Sequence, residues 1–128
     1  MIVVLMLSCF AVRSWIEKRA AERRQVEYQT AVKRYSDVLK VGMTRREVEY
    51  YLAQRHEKFG RMCCVHIKRH AFADLVKIGE ESPPWYCNHH FIDVAFEFEA
   101  TSPHELVEAY DSDRLISVTL FPHLEQCM

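Results

Sequence analysis

FIDVAFEFEA, from Phe91 to Ala100, sets Ile92, Val94, Phe96 and Phe98 in alternation with Asp93, Ala95, Glu97 and Glu99. A period of two over ten residues predicts a strand with one face on a core and the other in water. Downstream, Arg114 to Phe121 repeats the pattern, with Ile116, Val118 and Leu120 against Ser117 and Thr119, and Pro122 is expected to end it. Thr101 to Asp113 reads as the polar connection between them. Upstream, His70 to Ile78 has the apolar density of a strand, with Gly79 after it, and Arg61 to Ile67 reads as a shorter one. Between Glu80 and His90 two prolines, Pro83 and Pro84, predict a loop. Three or four strands joined in succession make an antiparallel meander.

Such a sheet needs a cover for its apolar face, and the first half of the chain supplies it. Ser14 to Lys40 contains neither Gly nor Pro and is rich in Ala, Glu, Lys, Arg and Gln, which predicts a long helix. Its stretch EKRAAERRQ is polar nearly all round, whereas Tyr28, Ala31, Val32, Tyr35, Val38 and Leu39 recur at spacings of three and four. Only that second half is expected to pack. Gly42 stops the helix, and Thr44 with Glu47 forms a capping box for the next, with Met43 placed to staple onto Val48. Val48, Tyr51 and Leu52 then face the core, and the short helix ends near Gln54 or Arg55. The fold class is α+β in two layers: a long helix and a short capped helix on a three- to four-stranded antiparallel sheet.

The stretch VLKVGMTRREVEYYL, Val38 to Leu52, resembles the BamE/SmpA family of small envelope lipoproteins through Gly42, Met43, Thr44, Glu47, Val48 and Leu52. The resemblance implies two helices followed by three antiparallel strands, export, frequent lipidation and a non-enzymatic scaffold role in outer-membrane assembly. The sequence departs from the family pattern after Leu52, where Ala53, Gln54 and Arg55 stand in place of a Gly and Pro, and in its Cys63-Cys64 pair and PPWYC loop.

Met1 to Val12, MIVVLMLSCFAV, has no charged side chain. It reads as a signal or membrane-anchor segment over residues 1–16. A bilayer span takes about 20 apolar residues, so the segment is short for one and closer to a signal h-region. A start further upstream would supply the missing basic n-region and added length. Met6, Leu7, Ser8 and Cys9 are similar to a lipobox, which makes Cys9 a candidate lipid anchor. Residues 17–27 then form a polar helical spacer and residues 28–128 the domain. Arg13, Lys18, Arg19, Arg23 and Arg24 flank the apolar segment, and by the positive-inside rule they favour a cytoplasmic domain. The cysteines argue for the other side.

The chain has 128 residues with 49% hydrophobic and 27% charged, enough for one packed domain and not a disordered tail. Residues 1–69 carry 15 Lys/Arg against 7 Asp/Glu, and residues 70–128 carry 2 against 11. The two halves attract each other within one fold, which argues against a nucleic-acid partner. Apart from Cys9, four cysteines remain: Cys63, Cys64, Cys87 and Cys127. Adjacent strand residues point to opposite faces, so each of Cys63 and Cys64 is expected to find a distant partner, one with Cys87 and the other with Cys127; Cys64 with Cys87 is preferred. The rival is zinc on Cys64, His66, Cys87 and His89 or His90, with ligand spacing outside the common knuckle pattern.

Trp85 and Tyr86 behind Pro83 and Pro84 form either a partner-binding loop or a cover for the open sheet face. His56, His70, His104 and His123 read as surface or strand-edge residues, and Glu80, Glu81, Asp111 and Asp113 as solvated loop charges. No phosphate loop, paired-carboxylate constellation or nucleophile elbow is present. The expected protein is therefore a membrane-anchored, cell-envelope binding module with its domain on the extracytoplasmic side. It is expected to have no catalytic activity, no cofactor, no small-molecule substrate and a protein partner of unknown identity; the alternative is a membrane-anchored zinc protein facing the cytoplasm.

Overall fold

The structure is a computed structural model that describes residues 1–63, 72–100 and 109–128. Helix α1 (Ile2–Val38) and helix α2 (Arg45–Gln54) precede strands β1 (Phe59–Cys63), β2 (Phe72–Glu81), β3 (Cys87–Glu99) and β4 (Arg114–Cys127). The strands form one antiparallel sheet in the order β1-β2-β3-β4. This is the α+β meander under two helices that the alternation at Phe91 to Ala100 required.

The apolar segment and the spacer belong to a single helix of 37 residues, about 55 Å long at 1.5 Å per residue. Its inward stripe runs through Ala20, Ala21, Arg24, Tyr28, Ala31, Val32, Tyr35 and Leu39, so contact with the domain begins about two turns before Tyr28. Val38, expected on that stripe, faces solvent. After the cap at Leu39 the chain turns at Gly42 with a left-handed φ of 96°, where a side chain would be strained. Gly42 N–H donates to the carbonyl of Leu115 at 2.8 Å, and Leu115 N–H donates to that of Met43 at 2.7 Å, which fixes the turn to the start of β4. Both bonds of the Thr44–Glu47 capping box are formed.

The core lies between helices and sheet. Tyr35, Leu39, Val48 and Leu52 meet Val76, Val94, Phe96, Phe98 and Leu115, with Met43 packed beside them. The Tyr35 ring stands edge-on to Phe96 at 5.3 Å. Where α1 crosses β2 the fit is close enough to require glycine: a Cβ at Gly79 would meet the Tyr28 ring at 2.7 Å. Gly79→Ala should lower stability by about 1–3 kcal/mol in urea melts through overpacking, and the added change Tyr28→Ala should remove most of that penalty. Equal penalties in both backgrounds would contradict the contact.

Three strand ends differ from the sequence reading. β2 continues beyond Gly79 to Glu81 through a register shift at Lys77/Gly79, and β3 begins at Cys87. β4 continues through Pro122, which lies opposite Ile92. β4 is an edge strand, so a proline lacking its N–H costs nothing on the side without a neighbour. The face of β3 expected to be wet is also largely buried, since Ala95 and Ala73 sit beneath Met62 and Phe121, and Asp93 and Glu97 are nearly inaccessible.

Candidate functional site

Three groups of side chains carry chemistry, and they occupy different places. The first is the free end of α1. Every residue from Met1 to Arg19 is exposed, and Ile2, Val4, Leu5, Leu7, Phe10 and Val12 present apolar surface on all sides of the helix. The Ser8 hydroxyl donates to the Val4 carbonyl at 2.8 Å, so its polarity is satisfied within the helix. Cys9 is exposed with a free thiol. Behind this end Arg13 pairs with Glu17 at 3.1 Å, and the Arg19 guanidinium lies over the Trp15 ring at 4.8 Å. Among the described residues no helix is long and apolar enough to cross a membrane.

The second group is buried under α2. Arg45 is fully inaccessible, and so are Asp74 and Asp113. Its Nη1 donates to Asp74 Oδ1 at 2.7 Å, its Nε and Nη2 to Asp113 Oδ2 at 3.3 Å, and Nη2 also to the Phe72 carbonyl. The guanidinium carbon lies 4.0 Å from the centre of the Phe98 ring. Arg45 thus joins α2 to β2 and to the turn before β4. Asp113, expected in solvent, is instead drawn inward because Arg45 needs a second carboxylate. Glu81 likewise leaves the solvent to bind Arg24 at 3.0 Å and the Tyr28 hydroxyl at 3.1 Å. These pairs join the basic first half of the chain to the acidic second half, as the charge split foretold. Glu81 is held below the usual carboxylate range by Arg24, and Arg24 is raised by the same bond.

Burial pushes the Asp74 carboxyl up to about 7, against the pull of Arg45, with Glu49 adding to the rise. Two guanidiniums, Arg45 and Arg61, face three carboxylates there, Glu49, Asp74 and Asp113, so one proton balances the cluster. The folded carboxyl binds its proton more tightly than an unfolded aspartate. Its contribution to stability is therefore complete at acid pH and is lost as pH rises through about 7. In urea melts from about pH 5 to pH 8, the parent chain should lose stability relative to Asp74→Asn. A pH-independent difference between the two chains would contradict this assignment.

The third group lies on the sheet face away from the helices. Lys58, Met62, Lys77, Phe91, Asp93 and His123 line most of a shallow depression of about 320 Å³. His123 Nε2 is 2.6 Å from Asp93 Oδ2, and its Nδ1 is 3.6 Å from Glu125. Phe121 stacks on the His123 ring at 5.3 Å, His89 on Phe91 at 4.9 Å, and the Lys77 ammonium lies over Phe91 at 4.4 Å. The depression thus has an aromatic floor with paired charges around it.

The cysteines resolve differently from the expected pairing. Cys87 bonds to Cys127, its direct partner across β3 and β4 with Cα atoms 4.0 Å apart, and not to Cys63 or Cys64. The extension of both strands beyond their expected ends creates this juxtaposition. Cys63 is also disulfide-bonded. With its sulfur in a disulfide, Cys87 is withdrawn from the zinc set, and no group of three metal-ligating side chains stands together among the described residues. Cys64, His66, His70 and His104 lie outside the described residues, whereas His56 is exposed and His123 half-buried on the edge strand.

Trp85 and Tyr86 form an exposed tip between β2 and β3, with Trp85 at 87% of full exposure, so the loop does not cover the sheet face. Arg45, Asp74 and the Asp93–His123 pair were not singled out in the sequence; an Arg at the first position of a capped helix carries no signal that it turns inward. No known family, curated protein or solved structure matches this chain.

Proposed function

We propose that this chain is a membrane-tethered binding module of the cell envelope, a scaffold that acts by contact and without catalysis. The observation that carries the reading is the free end of α1, uncharged from Met1 to Val12 and apolar on every side. A helix apolar all round belongs in a protein core or in lipid, and this one touches neither sheet nor α2. Twelve residues measure about 18 Å, more than half of the roughly 30 Å hydrocarbon core. The helix end's all-round apolar surface suits insertion into a membrane, with Trp15 and the basic residues after it at the headgroups. The remainder of α1 is then a rigid link, because the same helix docks on the sheet through Arg24, Tyr28 and Tyr35. A disulfide between Cys87 and Cys127 favours the extracytoplasmic side. The likeness of Val38 to Leu52 to envelope scaffold lipoproteins supports the same role, and the depression around Phe91 and His123 is the surface offered to a protein partner.

Fractionation of cells expressing the full chain tests the tether. The parent chain should stay with membranes through a carbonate wash, and Leu5→Asp with Leu7→Asp should move it to the soluble fraction, since each Asp inside a bilayer costs about 2.5–3.5 kcal/mol. A parent chain found soluble, or as a soluble oligomer joined through its apolar ends, would overturn the reading.

A further inference from the structure

The geometry points to a second membrane contact, on the domain itself: we infer that the tip between β2 and β3, Trp85 with Tyr86, rests in the headgroup layer of the bilayer that receives α1. The inference depends on the tether proposed above. It begins from how α1 lies on β2. Tyr28 sits against Gly79, and Arg24 binds Glu81. Four helical residues rise about 6 Å and two strand residues about 6.6 Å, so the elements run antiparallel and in step. Travelling toward the apolar end of α1 is travelling toward the β2–β3 tip. Four residues beyond Glu81 reach at most about 13 Å, the rise of about nine helical residues. Trp85 therefore stands no farther along α1 than the level of Trp15.

That level is where the helix changes character. Met1 to Val12 is uncharged, and Arg13, Trp15, Lys18 and Arg19 follow. Tryptophan and tyrosine favour this boundary because an apolar ring with a polar edge suits both sides of it. The tip has the matching chemistry. Ser82 to Tyr86 contains no charge, and the acidic residues before it are neutralised, Glu80 by Lys77 and Glu81 by Arg24. Trp85 is the most exposed aromatic side chain among the described residues, and it stands edge-on to Tyr86 at 5.7 Å. The tip is also held in place. Cys87 N–H donates to the Pro84 carbonyl at 3.0 Å, Met128 N–H to that of Tyr86 at 2.8 Å, and the Cys87–Cys127 bond ties its base. With two prolines before it, the tip loses little freedom on contact. Anchored at two points, the domain would be restricted in how it tilts against the bilayer.

The chain has two tryptophans, so Trp15→Phe leaves Trp85 as the sole indole. Full-length Trp15→Phe is mixed with phosphatidylglycerol–phosphatidylcholine vesicles, with and without bromine-labelled acyl chains near the headgroup, and sedimented in parallel. Sedimentation with blue-shifted, bromine-quenched Trp85 emission is expected. In the parent chain, Trp85→Ser with Tyr86→Ser should weaken vesicle binding about tenfold, equivalent to about 1.4 kcal/mol. Sedimentation with water-like, unquenched Trp85 emission would overturn the second contact and leave the tether standing. Failure of the chain to sediment would overturn both.

Discussion

Arg45→Met should lower the unfolding free energy by about 3–5 kcal/mol, read as a shift of the urea midpoint at unchanged slope. The size follows from what remains. Asp113 Oδ2 keeps the Tyr110 N–H at 3.0 Å, and Asp74 loses its partner at 2.7 Å, both in a region closed to water. A buried carboxylate without its cation must take up a proton or hold water, and either outcome weakens the native state. Arg45→Lys should recover only part of the loss, because one ammonium cannot serve Asp74, Asp113 and the Phe72 carbonyl together. Adding Asp113→Asn to Arg45→Met should restore more than Asp113→Asn costs alone, since it removes the stranded charge. Loss of less than about 1 kcal/mol for Arg45→Met would mean that the guanidinium is solvated.

Cys127→Ser should cost about 4 kcal/mol by releasing a loop with a sequence separation of 40 residues. The bond joins the start of β3 to the end of β4, so its removal should fray that end first. Amide exchange should therefore quicken at Asn88 to His90 and Leu124 to Gln126 before it does at Val94 or Phe96. Single-residue replacement is preferable to reduction because Cys63 is also disulfide-bonded. Thiol counting on the unreduced protein should find Cys9 reactive and Cys87 and Cys127 protected. A reactive Cys87 in unreduced protein would contradict the pairing.

The elements were legible where local chemistry is redundant. Alternation from Ile92 to Phe98 and the Thr44–Glu47 box each state their structure within a few residues: the strand and the cap formed as read, although the strand's expected wet face is buried. Strand ends were harder to read, because they depend on neighbours. Pro122 stops a central strand but not an edge strand, and only the sheet order reveals which β4 is. The extra residues of both strands at one end of the β3–β4 ladder then decided the disulfide, which no spacing between cysteines announces.

Asp113 and Glu81 show the same limit from the side of charge. Each looks like a loop carboxylate until a distant arginine, Arg45 or Arg24, is placed beside it. The overall split between basic and acidic halves was visible, but not which pairs would be buried. The depression beside β4 was less legible still, since Asp93 and His123 lie 30 residues apart and meet only through the register of β3 with β4.

Co-sedimentation of purified chain with phosphatidylglycerol–phosphatidylcholine vesicles tests the tether most directly, comparing the full chain with one that begins at Arg13. The full chain should pellet with vesicles and the shortened one should remain in the supernatant, with both showing the same cooperative unfolding of the domain. Equal partitioning of the two chains would contradict the tether and place the membrane contact, or its absence, outside the apolar end of α1.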